Sequence, residues 1–276
     1  MAKRTFSTVL LWSIVFATLW FFRARGALVL LTVVSALTLR EFYLLMRGMG
    51  YTPFARLGIA LGVLITAGPW LEVRWHVPAH AWLALAVIVF SVRLLNERTP
   101  ENRVESLCST LFGLIYVPFM LQYFARIIVA RPGDIASADG RLLMCLWVVA
   151  TAKFCDMGAL LTGLAIGRHK MSPQISPKKT WEGAIGGVVF SMAIGATIAW
   201  LARSQFPAHV TPLVAAFMAL PIAVLGIVAD LIESVIKRRA NLKDSGVAIP
   251  GMGGFFDMSD SLILAAPVGY FLFGLP

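Results

Sequence analysis

Charged residues and cysteines are scarce in this sequence. Only 14% of its 276 residues are charged, whereas 59% are apolar, and the mean hydropathy is +0.81. Soluble globular domains have about 25% charged residues, so this balance excludes a cytosolic or secreted soluble fold. The three cysteines, Cys108, Cys145 and Cys155, lie in apolar runs without paired-cysteine or metal-ligand spacing. No disulfide framework and no zinc site is therefore expected.

Long apolar runs occupy most of the chain. A transmembrane helix needs about 20 apolar residues, and the runs predict an all-α polytopic integral membrane protein with about nine transmembrane helices. We expect one membrane domain in two parts, residues 1–139 with about five N-terminal spans and residues 140–276 with the catalytic helices and two polar loops. The predicted spans are residues 5–22, 26–46, 55–73, 79–96, 104–130, 140–166, 181–203, 211–236 and 257–275.

The Lys and Arg residues indicate how these helices are oriented. With the N-terminus inside, 15 of the 24 cations fall in cytoplasmic segments and 7 on the opposite side. Because cytoplasmic loops are enriched in Lys and Arg, we predict a multi-pass protein of the inner (plasma) membrane with its N-terminus and both polar loops in the cytoplasm. The net charge of +10 is split among many short loops without an aromatic platform, so no nucleic acid is expected as a partner.

Two of the predicted cytoplasmic loops differ from the others in composition. Residues 167–182 and 237–256 together hold eight of the 24 cations, along with prolines, glycines and hydroxyl groups. Lys and Arg bind phosphate oxygens, and the Gly253-Gly254 pair lets backbone N–H groups approach an anion closely. These loops are typical of a polyphosphate site. The alternative is a pair of solvated basic turns produced by the positive-inside rule.

Acidic residues within apolar helices favour the phosphate site. Asp230, Glu233, Ser234 and Lys237 follow each other at i, i+3, i+4 and i+7, so they lie on one helix face. A carboxylate at the bilayer centre costs at least about 2.5 kcal/mol on insertion scales, which argues against an incidental occurrence. A single carboxylate of this kind could instead join two helices.

Two further stripes repeat the pattern. Asp257, Asp260 and Ser261 open the ninth predicted span at i, i+3 and i+4, and Lys153 and Asp156 share a face of the sixth. Hard oxygen ligands beside phosphate-binding loops suit Mg²⁺. The residues alone therefore predict a membrane enzyme with its active site at the cytoplasmic face. Mg²⁺ is the expected cofactor, with more than one cation expected. The expected substrates are a phosphorylated nucleotide and a lipid.

The polar motifs also carry a family resemblance. The chain reads Ser-Val-Ile-Lys-Arg at 234–238 and Lys-Asp-Ser-Gly-Val-Ala-Ile-Pro-Gly-Met-Gly-Gly-Phe-Phe-Asp-Met-Ser-Asp at 243–260, preceded by Ile-Ser-Pro-Lys-Lys-Thr-Trp-Glu-Gly at 175–183. These segments, with residues 156–170, resemble the motifs of the phosphatidate cytidylyltransferases, or CDP-diacylglycerol synthases. The N-terminal half matches only in hydropathy and in Glu41-Phe42-Tyr43.

Three positions depart from the family pattern. Met252 and Met258 stand where the family usually has His and Arg, and Ala229 replaces a Gly before the aspartate of the eighth span. The acidic framework and the Lys243-Asp244 pair are retained. We therefore predict an active variant of the enzyme.

The resemblance implies that CTP and phosphatidate react to give CDP-diacylglycerol and pyrophosphate for phospholipid synthesis. It implies CTP, phosphatidate and membrane lipids as partners and leaves a homodimer open. The implied catalytic residues are Asp230, Lys243, Asp244, Asp257 and Asp260. The implied metal ligands are Asp156, Asp230, Asp257 and Asp260. The implied substrate-binding residues are Ser176, Lys178, Lys179, Thr180, Ser234, Lys237, Arg238, Gly253 and Gly254.

Two other functions stay open at this point. A CTP-dependent polyprenol or dolichol kinase would transfer the γ-phosphoryl group to an alcohol and release CDP instead of pyrophosphate. An ion-coupled transporter would have charges near the membrane midplane, whereas here the polar residues gather toward one face.

Overall fold

The computed structural model describes residues 2–95, 103–130, 138–246 and 253–275, with side chains from residue 13 in the first helix and from residue 139 in the helix that begins at Ala138. Within these residues the chain is almost entirely helical. The helices are α1 Ala2–Gly48, α2 Ala55–Trp75, α3 Ala79–Leu95, α4 Arg103–Leu114, α5 Met120–Val129, α6 Ala138–Ile166, α7 Trp181–Leu201, α8 Pro212–Arg239 and α9 Phe255–Leu272.

Seven of the described helical segments are long and apolar enough to cross a membrane, by length and composition. They confirm an all-α polytopic membrane protein, whereas the predicted count of nine is not confirmed. The first two predicted spans lie within α1, which has non-helical backbone angles at Arg23 (φ 47°, ψ −131°). The fourth corresponds to α3, whose 17 residues are at the short limit for a span.

The fifth predicted span contains two helices. A π-helical turn, Ile115–Phe119, joins α4 to α5. Pro118 lies in this turn, and proline has no backbone N–H to donate to the helical ladder, so the ladder is interrupted there.

The chain folds into two units, and neither is a continuous stretch. The first unit comprises Met1–Val129 and Ile236–Ser259, and the second comprises Ala130–Val235 and Asp260–Pro276. The predicted parts, residues 1–139 and 140–276, stay a prediction; the compact unit that contains the N-terminal helices also includes the C-terminal motif segment. Helices α8 and α9 each contribute to both units.

An aromatic cluster forms the core of the first unit. The ring of Phe42 on α1 lies 5.7 Å from that of Phe112 on α4 and 5.8 Å from that of Phe256 at the start of α9. Tyr43 donates a hydrogen bond of 2.9 Å to the carbonyl oxygen of Thr110. The first turn of α9 is thus anchored to α1 and α4 by burial of large aromatic side chains.

Small residues let α6 and α7 approach closely in the second unit. The buried positions of α7 are Gly183, Gly187, Ser191, Gly195 and Ala199, one in every four residues. A Cβ at Gly187 would lie 2.7 Å from the carbonyl oxygen of Cys155 on α6. Such a stripe is typical of tightly packed membrane helices, and its spacing is visible in the sequence.

A short β-hairpin precedes α7. Strands β1 Lys170–Ser172 and β2 Ser176–Thr180 pair in an antiparallel arrangement. The sequence predicted a loop here, because strands of three and five residues rich in Lys, Ser and Pro have no apolar alternation. Thr180 ends β2 and caps α7 by accepting a 3.1 Å hydrogen bond from Gly183 N–H.

Candidate active site

A lysine and two aspartates meet inside the second unit. Lys153 Nζ on α6 donates to Ser261 Oγ at 2.8 Å and to Asp260 Oδ1 at 3.3 Å on α9. It also lies 3.7 Å from Asp156 Oδ2, one turn along α6. The ammonium therefore offsets part of the charge of both carboxylates. The sequence placed Lys153 beside Asp156 but gave it no role.

The hairpin brings a second lysine to the acidic helix α8. Lys179 on β2 forms an ion pair with Asp230 Oδ2. A predicted substrate-binding residue is thereby joined to a predicted metal ligand. The side chains are 22% exposed for Lys179 and 31% for Asp230, whereas the Lys179 Nζ atom itself is buried against Asp230.

Three carboxylates of the second unit form a group suited to a metal ion. Asp230, Glu233 and Asp260 each offer an oxygen, and these oxygens lie within 4.8 Å of one another. Glu233 and Asp260 are buried. An all-oxygen donor set of this kind fits Mg²⁺. Glu233 was not among the predicted ligands, although its i, i+3 spacing from Asp230 signals that it shares the same helix face.

Asp257, a predicted metal ligand, makes a different set of contacts in the first unit. Lys237 Nζ donates to its Oδ1 at 2.8 Å, and the backbone N–H groups of Ser245 and Gly254 donate to its Oδ2 at 3.0 and 2.8 Å. Gly253 has φ +98°, and any Cβ there would overlap the Asp257 carboxylate. Asp257 thus holds the two ends of the motif segment; its role as a metal ligand stays a prediction.

Glu41 of α1 fixes the same segment from the other side. Its buried carboxylate accepts hydrogen bonds from Ser245 Oγ at 3.0 Å and from Phe256 N–H at 2.9 Å. A Cβ at Gly254 or Gly246 would collide with this carboxylate, which explains two of the glycines in the motif. The sequence singled out Glu41-Phe42-Tyr43 only as a matching stretch, so the function of Glu41 was missed.

Several predicted residues have no side-chain partner among the described residues. Lys178, Arg238, Lys243 and Asp244 are exposed, and in the described part of the chain no hydrogen bond or ion pair involves their side chains. The three cations among them, Lys178, Arg238 and Lys243, are available to phosphate oxygens.

The remaining predicted positions have local roles or lie elsewhere. Ser176 pairs with Ser172 in the hairpin, Thr180 caps α7, and Ser234 is half-buried on α8. Met258 is half-buried on α9, and Met252 lies outside the described residues.

With this geometry in place, comparison with known proteins decides the family. The sequence model of the cytidylyltransferase family matches residues 2–275. The chain belongs to the cytidylyltransferase family. This membership confirms the resemblance carried by the motifs.

The chain is similar to relatives named phosphatidate cytidylyltransferase. It is 29% identical to that of Synechocystis sp., over 91% of this chain and 88% of the relative. It is 30% identical to that of Staphylococcus aureus, over 88% and 89%, and 32% identical to that of Thermotoga maritima, over 69% and 67%. The similarity to members of this family therefore extends through most of the chain and is not confined to the polar motifs.

Proposed function

We propose that this protein is a phosphatidate cytidylyltransferase, which transfers the cytidylyl group of CTP to phosphatidate and releases pyrophosphate. The observation that carries the proposal is the Asp230, Glu233 and Asp260 group beside Lys153 and Lys179, in a membrane protein of the cytidylyltransferase family. The names of the relatives support CTP and phosphatidate as the substrates.

We infer that Asp230, Glu233 and Asp260 hold Mg²⁺. A bound Mg²⁺ would neutralise phosphate oxygens of CTP and stabilise the charge that develops on the leaving pyrophosphate. Asp156, which Lys153 joins to Asp260, is the next carboxylate available if a second cation binds. Asp257 remains an alternative ligand from the sequence prediction.

The reaction requires positioning and charge neutralisation more than proton transfer. An oxygen of the phosphatidate phosphate forms a bond to the α-phosphorus of CTP, and the bond from that phosphorus to the bridging oxygen of pyrophosphate breaks. The attacking phosphate is already an anion at neutral pH, so no general base is needed. The main barrier is the repulsion between two anions.

The lysines of the hairpin would reduce that repulsion between the two anions. Lys178 is exposed and Lys179 is paired with Asp230, so β2 carries two adjacent cations in different surroundings. We assign both to substrate phosphates. Lys237, Arg238, Lys243, Asp244, Gly253 and Gly254 keep their predicted roles in substrate binding and catalysis.

The distribution of cations concerns the location and orientation of the enzyme in the membrane. The excess of cations in one set of loops, 15 against 7, supports an inner-membrane protein with its active site at the cytoplasmic face. Phosphatidate would then reach the site laterally from the bilayer. A homodimer remains open as a further partner.

The position of the transferred phosphorus tests the reaction. Purified protein in mixed micelles is incubated with Mg²⁺, phosphatidate and CTP labelled at either the α- or the γ-phosphorus. We expect the α-label in the lipid product and the γ-label in pyrophosphate, with Asp260→Asn as the inactive control. Transfer of the γ-label to a polyprenol with release of CDP would instead identify a lipid kinase and overturn the proposal.

A further inference from the structure

Three arginines that have no role assigned above line one cleft in the first unit. Arg40 and Arg47 belong to the last three turns of α1, and Arg56 belongs to the first turn of α2. The cleft has a volume of about 200 Å³. Its other walls include the side chains of Tyr43, Leu44 and Ile59.

The arginines have no counter-charge in the described part of the chain. All three are exposed, and no described carboxylate forms an ion pair with any of them. Arg40 and Arg47 are seven residues apart, so they share a helix face at a separation of about 10 Å. Three like charges around one cavity repel each other, and a bound anion would relieve this repulsion.

The size of the cleft limits which anion can enter. Pockets for drug-sized ligands have volumes of about 300–1,000 Å³, so a cleft of about 200 Å³ is too small to enclose a nucleotide. It is large enough for a single phosphate group. Guanidinium groups bind phosphate through paired N–H donors, and three arginines line this cleft.

The surroundings of the cleft favour a phosphate that is attached to a lipid. Arg47 and Arg56 lie where α1 ends and α2 begins, and residues at the ends of membrane helices lie near the depth of lipid headgroups. Arg40 lies about two helical turns before Arg47 on the same face of α1. Leu44, 44% exposed, and Ile59 provide an apolar wall beside the charges. Tyr43 is held in place by its hydrogen bond to Thr110, so this side of the cleft is preformed.

We propose that the cleft formed by Arg40, Arg47 and Arg56 binds the phosphate headgroup of an anionic phospholipid. The cleft shares no residue with the carboxylate group proposed to hold Mg²⁺, and its occupation does not depend on the proposed transfer reaction. It would retain one anionic lipid at the α1–α2 pair.

Native mass spectrometry of the delipidated full-length protein in detergent tests this inference. The probes are phosphatidylglycerol, which is neither substrate nor product of the proposed reaction, and zwitterionic phosphatidylcholine. Two arginines near a membrane surface contribute enough for about a tenfold or greater change in affinity. We therefore expect R40Q/R56Q to bind phosphatidylglycerol at least about tenfold more weakly than the wild type.

The matched control is R25Q/R74Q, which removes the same charge from exposed positions of the same two helices outside the cleft. It should retain wild-type binding of phosphatidylglycerol. A second variant, R40K/R56K, keeps the charge but loses paired donation, so it should fall between the wild type and R40Q/R56Q. It also provides a test if R40Q/R56Q does not fold.

Three outcomes would overturn the inference. Equal losses in R25Q/R74Q and R40Q/R56Q would show that binding follows overall surface charge. Equal binding of phosphatidylcholine and phosphatidylglycerol would remove the role of the anionic headgroup. Displacement of phosphatidylglycerol by inorganic phosphate or CTP at similar concentrations would identify a free phosphate as the ligand.

Discussion

At the scale of single residues, the acidic side chains form two groups that differ in their contacts. One group consists of Asp230, Glu233 and Asp260, whose carboxylate oxygens lie within 4.8 Å of one another. The carboxylate of Asp257 instead accepts hydrogen bonds from Lys237 and from two backbone N–H groups. Sequence spacing predicted which carboxylates share a helix face. It could not predict which neighbouring element each face meets, so the contacts of Asp257 and Glu233 come from the structure, and the assignment of Asp257 to metal stays a prediction.

Replacing Glu233 tests the composition of the metal group. Glu233→Gln removes one proposed ligand charge with little change of volume, and we expect turnover to fall at least about a hundredfold and the Mg²⁺ concentration for half-maximal rate to rise. Glu105→Gln, which alters an exposed glutamate of α4, is the control. An unchanged Mg²⁺ dependence in Glu233→Gln would contradict the assignment of Glu233.

The contacts of Asp257 predict a different response from the metal group. Asp257→Asn weakens the Lys237 ion pair and the anchor for Ser245 and Gly254 N–H, so the thermal midpoint of unfolding should fall and KM for CTP should rise by about tenfold. Lys237→Met should produce the same two changes. If Asp257→Asn alone shifts the Mg²⁺ dependence while Lys237→Met does not, Asp257 is a metal ligand as the sequence predicted.

At the scale of elements, hydropathy located most of the helices, but not the polar structure between them. Helices α2, α6, α7, α8 and α9 correspond to predicted spans within a few residues. The hairpin of residues 170–180 was missed because its strands are short and polar, and it is held by tertiary contacts. Glu182 of α7 accepts hydrogen bonds from the backbone N–H groups of Arg168 and His169 at 3.1 and 3.2 Å.

Loss of the Glu182 carboxylate should loosen the hairpin without removing either of its lysines, Lys178 and Lys179. For Glu182→Ala we expect KM for the substrates to rise by about tenfold, with a smaller change in kcat, because the backbone of β2 that carries Lys178 and Lys179 loses its fixed position. Gln174→Ala, in the exposed turn of the same hairpin, should behave as the wild type. A fall in kcat at unchanged KM would show that Glu182 acts in the chemical step and not by positioning.

The packing of α6 against α7 depends on the small-residue stripe of α7. Gly187→Ala places a methyl group against the Cys155 carbonyl oxygen, and overpacking of this kind costs about 1–3 kcal/mol. The thermal midpoint of unfolding in detergent should therefore fall by several degrees. Ala193→Val, on an exposed position of the same helix, is the control, and an equal fall in that variant would contradict the packing explanation.

At the scale of the whole molecule, a membrane protein must have each loop on a defined side. Helix α7 has 21 residues, which at about 1.5 Å per residue is enough to cross the hydrocarbon core once. The hairpin before α7 and the turn after it must then lie on opposite sides. The cation bias of 15 to 7 predicts that the hairpin side is the cytoplasm.

Single cysteines report this topology directly. The three native cysteines, of which only Cys108 is exposed, are first replaced by alanine. Cysteine is then introduced singly at Gln174 in the hairpin, at Leu242 after α8, or at Ser204 after α7, all three exposed positions. With an impermeant thiol reagent added to intact cells, we expect labelling of Ser204→Cys alone, and labelling of all three variants after the membrane is permeabilised. Because Gln174 and Ser204 flank a single crossing, external labelling of Gln174→Cys with protection of Ser204→Cys would reverse the orientation and place the proposed CTP site outside the cytoplasm, where CTP is not supplied.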